Sequence, residues 1–408
     1  MSYSSFEIIV IGGGPAGSSC ATFLSQRGHK VLLLEKEIFP RFMVGESLLP
    51  AMWDLWGKLG ILERLEAVQY PMKRGVNFRI LDAGSTRDYE LRTDEFPEYF
   101  IRPYTFHVDR ANFDQLLLEN SHEKGVEVRE GCRVEDVLFE GKRAVGVRYT
   151  DASDQQREVR AQVVVDATGR STLLARKLGR RYWNPDLKKV SYYTQFEGAG
   201  RRLCEDGSTM TDIHTTEGGW IWYIPLRKGI SSVGVVLDAT YVQNQSDNLQ
   251  QIFDAAIAGN ELVSDWLSGA KQCFGIKNVP AVSYLSDNFV GDGFVMIGDA
   301  AMFLDPIFSA GVTFTMRGAE FAAEAISKGL RRGDTSENAL KPFEEKIRYP
   351  VGKMYKMILN WYRILESKDK NHVFELSRTA PLLRERLVVL LSGGYDKVDL
   401  EPLIKASD

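Results

Sequence analysis

The sequence predicts an α/β protein: a Rossmann-like dinucleotide-binding domain, an antiparallel β-sheet domain inserted into it, and a mainly helical C-terminal region. Three observations carry that prediction. A glycine-rich turn at residues 12–17 stands between a buried apolar run and a helical segment, as a βαβ unit requires. Two later apolar runs, 161–169 and 293–299, end in tight turns and return the chain to the same sheet. Between them, residues 187–240 alternate polar and apolar side chains, as strands with one solvated face do.

Taken in order, residues 6–12 read as a buried strand, 15–27 as a helix and 30–35 as a second buried strand. A helix is expected over about 48–68, and another over 109–124 with Asp109 as its N-cap. Residues 74–106 add strands to the inserted sheet. From Thr313 onward the pattern is helical, with breaks near Gly333 and Pro350. The expected dinucleotide domain is therefore 1–73, 107–180 and 285–330, the sheet domain 74–106 and 181–284, and the helical region 331–408. In the segment 217–226, Trp220, Trp222 and Ile224 occupy alternate positions of one strand and share a face. Two indoles there can wall off a cofactor from a separate substrate pocket.

Composition narrows the function classes. The 408 residues are 44% hydrophobic and 26% charged, with a net charge of −4, so no basic field marks a nucleic-acid partner. A small-molecule substrate or an acylated partner is expected instead. Cys20, Cys132, Cys204 and Cys273 lie far apart and read as reduced thiols, which fits a cytoplasmic protein. The five histidines show no metal-ligand spacing, and no run is long and apolar enough to span a membrane. The N-terminal apolar stretch lacks the basic leader of a signal peptide and is interrupted by glycines and Pro15.

The string Gly12-Gly-Gly-Pro-Ala-Gly17 is a G-x-G-x-x-G between strand and helix, with Glu35 about 20 residues on to hold a ribose hydroxyl. Gly12, Gly14, Pro15, Ala16 and Gly17 thus form the expected pyrophosphate turn. Gly298-Asp299 and Asp166-Ala-Thr-Gly169 resemble the second and third FAD motifs of the glutathione reductase and para-hydroxybenzoate hydroxylase class, and Arg110 resembles that class's helix-start arginine. FAD is the expected cofactor. No second fingerprint offers a nicotinamide site.

On four strings the chain resembles the flavin-dependent halogenases, from about residue 5 to 330. They are the fingerprint, Val44-Gly-Glu-Ser-Leu-Leu-Pro50, Trp220-x-Trp222-x-Ile224-Pro225, and the stretch from Gly298 to Gly311. The resemblance implies FADH2 supplied by a separate flavin reductase, O2 forming a flavin hydroperoxide, and chloride or bromide attacking it. Hypohalous acid then passes to Lys73, the residue that stands five positions before Phe78 as the family's catalytic lysine stands before an aromatic. There it is held by hydrogen bonding or forms a haloamine. Ser309 matches the serine that supports the lysine, and the Ala310 and Gly311 amides match the halide pocket, at a helix start whose dipole favours an anion. Ser47 and Val134 complete the expected cofactor set. Trp220, Trp222, Ile224, Pro225 and Phe308 form the expected substrate and tunnel wall. Tryptophan halogenases carry Glu where this chain has Phe308, so an electron-rich phenol or pyrrole, free or on an acyl or peptidyl carrier protein, is the expected substrate. A flavin monooxygenase or geranylgeranyl-reductase-like enzyme is the alternative, and a non-catalytic flavoprotein partner a third reading. Direct reduction by NAD(P)H separates the first of these, and absence of oxygen turnover the second.

Overall fold

The computed structural model describes residues 6–82, 85–243, 245–366, 380–395 and 397–398. Its first sheet has six strands in the order Val290–Gly291, Phe294–Met296, Val163–Asp166, Ile8–Ile11, Val31–Leu34 and Glu127–Arg129. All of its pairs are parallel except the edge strand Val290–Gly291. The central strands Ile8–Ile11, Val31–Leu34 and Val163–Asp166 are buried along their whole length, which is why they read as unbroken apolar runs. Helix Pro15–Gln26 leaves the central strand through the glycine turn, and the long helix Gly311–Arg332 packs against it.

The larger sheet begins with Met302–Phe303 and runs through Lys277–Ser286, Arg181–Glu197, Ile230–Asp238, Gly219–Pro225, Thr209–Thr216, Met72–Asp82 and Ser85–Arg92. It is not wholly antiparallel as expected, since Thr209–Thr216 pairs in parallel with Met72–Asp82. That one crossing matters for the site, because it sets Thr209 opposite Lys73. Alternation along Gly219–Pro225 works as predicted. Trp220, Trp222 and Ile224 join the main core beside the first sheet. Ile221 and Tyr223 face a second core under helices Leu249–Ala258 and Glu261–Leu267.

Local chemistry corrects several expectations. The single helix over 48–68 is two, Trp53–Leu59 and Leu62–Val68, because Gly60 takes the left-handed conformation (φ 76°) and ends the first. Asp109 does occupy the N-cap of Arg110–Glu123, but its side chain makes no cap bond; its Oδ2 accepts from Arg227 Nε at 2.7 Å. Gly333 ends Gly311–Arg332 as predicted, whereas Pro350 breaks nothing and lies inside the helix Glu337–Glu366. A three-stranded sheet, Arg133–Glu140, Arg143–Thr150 and Gln156–Arg160, also stands apart from the other two.

Candidate active site

A cavity of about 1300 Å³ runs from the glycine turn to the tryptophan strand. Gly12, Gly14, Pro15, Ala16, Glu35, Ser47, Arg110, Val134, Gly298 and Asp299 line it, with Ser309, Ala310 and Gly311 at its other end. The glycines show why the turn takes no other residue. Gly12 has φ +102°, and a Cβ there would stand 2.4 Å from the Ala167 carbonyl oxygen. A Cβ on Gly17 would stand 1.8 Å from the Gly12 carbonyl oxygen, so Gly17 lets strand and helix close together and does not itself line the cavity. A Cβ on Gly14 would have only the Arg41 guanidinium within 4 Å, at 3.4 Å, so an anion has room beside the turn with a cation at hand.

Glu35 is held by backbone amides: Gly13 N donates to Oε2 at 2.5 Å and Glu37 N to Oε1 at 2.8 Å. Each oxygen retains a lone pair for a hydroxyl. Arg110 is buried in a bidentate pair with Asp114 (2.8 and 2.9 Å) and donates to the Val44 carbonyl at 2.7 Å. It therefore clamps the loop carrying Val44 and Gly45 as well as lining the cavity. Burial raises the Asp299 carboxyl above its ordinary range. Glu46 also lines the cavity, and among the described residues its buried Oε1 makes no hydrogen bond of good geometry. Volume, room beside the glycine turn and a buried oxygen without a good hydrogen bond together fit a flavin dinucleotide.

Asp166 is a correction. It does not line the cavity; it is fully buried, accepting from Thr168 N at 3.0 Å and Leu174 N at 2.7 Å. It ties the turn after its strand to the helix Leu173–Lys177, so its contribution to the cofactor site is structural.

Trp220, Trp222 and Ile224 line the cavity, with the two indoles 6.2 Å apart between centroids. Trp220 Nε1 donates to the Tyr362 hydroxyl at 3.0 Å, which donates to Asp305 Oδ2 at 3.0 Å, fixing the ring. Burial lifts Asp305 to about 6. Pro225, expected in this wall, lines neither this cavity nor the next.

A second, small cavity of about 20 Å³ is bordered by Lys73, Phe78, Phe308, Ser309 and the C-terminal residues Val388 and Leu391. It has room for about one water-sized molecule. Lys73 is 4% exposed, and loss of solvent alone brings its amine down to about 7. Its Nζ donates to Ser47 Oγ at 2.8 Å and to the Leu48 carbonyl at 2.9 Å. The expected support from Ser309 is not a direct bond to the amine. Ser309 lines both cavities, in a left-handed conformation (φ 54°) at the step into helix Gly311–Arg332. Ser47 is the hydroxyl on the lysine, a role the sequence did not disclose because the two residues meet only through the sheet. Among the described residues no group of three or more His, Cys, Asp or Glu could hold a metal ion, and no helix is long and apolar enough to cross a membrane.

A cavity fitted to a flavin dinucleotide, meeting a small lysine-bearing pocket at Ser309, defines a flavin-dependent enzyme. Comparison with known proteins makes this specific. The tryptophan halogenase family matches residues 101–383, and the FAD-dependent oxidoreductase family matches 7–183. The chain is 33% identical to a 1H-pyrrole-2-carbonyl-[peptidyl-carrier protein] chlorinase of Pseudomonas fluorescens, over 99% of this chain and 93% of that protein. It is 34% identical to the corresponding brominase of Pseudoalteromonas luteoviolacea over 81% and 80%. Among solved structures, the flavin-dependent brominase Bmp2 aligns with TM-score 0.86 and 28% identity, covering 98% of both chains. The chain belongs to the flavin-dependent halogenases. It is an FAD-dependent oxidoreductase using O2 and halide.

Proposed function

We propose that this protein halogenates a pyrrole or a related electron-rich ring carried on a peptidyl or acyl carrier protein, and that Lys73 delivers the halogen. The observation that carries the reading is Lys73 itself: a buried amine near neutrality, in a pocket that shares Ser309 with the flavin cavity. Two relatives that act on carrier-bound pyrrole, by their names, support the substrate class. Phe308, apolar at the position where tryptophan halogenases carry Glu, supports an uncharged ring as the substrate.

Bound reduced FAD supplies the two electrons with which O2 and halide yield hypohalous acid. The residues do the rest. Gly311 opens helix Gly311–Arg332, whose first-turn amides have no helical acceptors, so a halide can rest between them and Ala310. Trp220 and Trp222 exclude bulk water and keep substrate from the flavin. The neutral Lys73 amine takes halogen from hypohalous acid with release of water, then passes it to a ring carbon, which loses its proton; the charged form holds the acid by hydrogen bonding. As the family resemblance implies, a separate flavin reductase supplies FADH2. The amount of halide on a pyrrolyl carrier protein, read by intact mass after incubation with FAD, a flavin reductase, NADH and chloride or bromide, tests the reading. Halogenated carrier with the native protein and none with Lys73→Ala is the expected result. Oxygenated product without halogen, or a product indifferent to Lys73→Ala, would overturn it.

A further inference from the structure

Lys73 stands at one end of an unbroken chain of buried polar groups. Its Nζ donates to Ser47 Oγ at 2.8 Å, Ser47 Oγ meets Thr211 Oγ1 at 2.8 Å, and Thr211 Oγ1 meets His107 Nε2 at 2.9 Å. On the far side of the ring, Thr209 Oγ1 lies 3.1 Å from His107 Nδ1 and donates to the Met72 carbonyl at 2.9 Å. All five side chains are at most 5% exposed. Water therefore does not compete for these bonds.

The two ends fix the direction of every bond between them. A lysine nitrogen in this chain donates, and a carbonyl oxygen only accepts. Thr209 gives its single proton to Met72, so it must receive from His107 Nδ1–H. Nε2 is then bare and accepts from Thr211, and Thr211 accepts from Ser47. The other tautomer would leave the Thr209–Met72 contact without a proton. The Pro225 carbonyl is a further acceptor beside the ring. Lys73 is the charged group whose field reaches His107, and burial together with that field keeps the imidazole neutral, below its ordinary range.

We propose that Thr211 and His107 are positioning residues for Lys73: they hold the Ser47 hydroxyl turned away from the amine, so that Nζ keeps its remaining valence free for the small cavity. A tetrahedral amine with two N–H bonds committed to Ser47 and Leu48 has one direction left. In the neutral form that direction is the lone pair, which must meet the electrophile. A Ser47 hydroxyl released from Thr211 would turn round and donate to that lone pair, and so block it. The inference rests on Lys73 as the residue that receives the halogen.

The test reads the lone pair without the flavin. Cyanate reacts only with the free pair of a neutral amine, so its addition to Lys73, followed by peptide mass spectrometry in mildly alkaline buffer, reports how open that pair is. Thr211→Val should slow labelling by about five- to tenfold, the worth of one hydrogen bond. Thr211→Ser should restore it, and Ser47→Ala/Thr211→Val, with no hydroxyl left to turn round, should recover it as well. Halogenation by Thr211→Val and Thr211→Ser should follow the same order. Labelling unchanged in Thr211→Val, no rescue in either second variant, or no label on the native lysine would overturn the proposal. If labelling follows the predicted order while Lys73→Ala still halogenates, the orienting chain stands and the catalytic reading of Lys73 falls.

Discussion

Lys73 owes its chemistry to what has been removed from around it. Among the described residues no carboxylate offsets its charge; burial alone accounts for an amine near 7. A haloamine forms only from the free base, so single-turnover halogen transfer from pre-reduced enzyme should rise as pH passes upward through about 7. Stopped reactions sampled across pH would show the rise. Lys73→Ala should lower transfer by about a thousandfold, and Lys73→Arg should not restore it, because a guanidinium stays charged and forms no haloamine. Stability should also rise with pH, over the range above about 7. The unfolded amine titrates near 10.5 and the folded one near 7, so burying it carries its full cost below about 7, and that cost is relieved as pH rises toward 10.5. Lys73→Met should therefore melt higher than the native protein at neutral pH, with the gap narrowing as pH rises. A gap independent of pH would show that the lysine is not titrating as its burial requires.

At the scale of elements, the tryptophan strand was legible because alternation is a property of the backbone itself, and both faces of Gly219–Pro225 are buried against different cores. Its fit is also built from the neighbouring strand, since Gly234 pairs with Trp222 and a Cβ at Gly234 would lie 2.3 Å from the indole. Trp222→Leu should cost about 2 kcal/mol of stability. It should also open the wall, so that less product forms per FADH2 oxidised, by at least about twofold, while flavin oxidation continues. Product and NADH counted together measure this, and unchanged coupling would remove Trp222 from the wall. The cavity lining omits Asp166, and Asp109 sits at its expected N-cap without the cap bond, because their motifs and positions do not say which partners the fold supplies. Asp166 meets the amides of its own turn and the helix after it, and Asp109 is drawn to Arg227 across the domain. Pro350 was misread because its helix is held by packing against Gly311–Arg332 on a long apolar face, which outweighs one lost backbone bond.

Over the whole molecule, what the sequence concealed is what the large sheet assembles. Ser47 and Thr211 are 164 positions apart, yet they share a hydrogen bond, and nothing in the local pattern of either predicts it. The same parallel pairing that sets Thr209 opposite Lys73 also sets Asp212 opposite Asn77 and His214 opposite Arg79. Asp212 and His214 are fully buried one pleat apart, and among the described residues Asp212 Oδ2 and both His214 ring nitrogens have no hydrogen-bond partner. Burial lifts Asp212 to about 7 and lowers His214 to about 3. Their effects on stability oppose each other. Between about 3 and 6.5 the unfolded chain binds a proton on His214 that the folded one refuses, so that residue makes stability rise with pH. Between 3.8 and about 7 the folded chain keeps a proton on Asp212 that the unfolded one releases, so that residue makes stability fall with pH. Asp212→Asn keeps the shape and the bond from Asn77 within reach but removes the titration. Its melting temperature should stay near the native value around pH 4, exceed it increasingly as pH rises toward 7, and hold a constant lead above that. His214 is common to both proteins and cancels from the difference. A lead that shrank with rising pH would mean that Arg202, 3.8 Å from Asp212 Oδ1, keeps the carboxylate charged in the folded state.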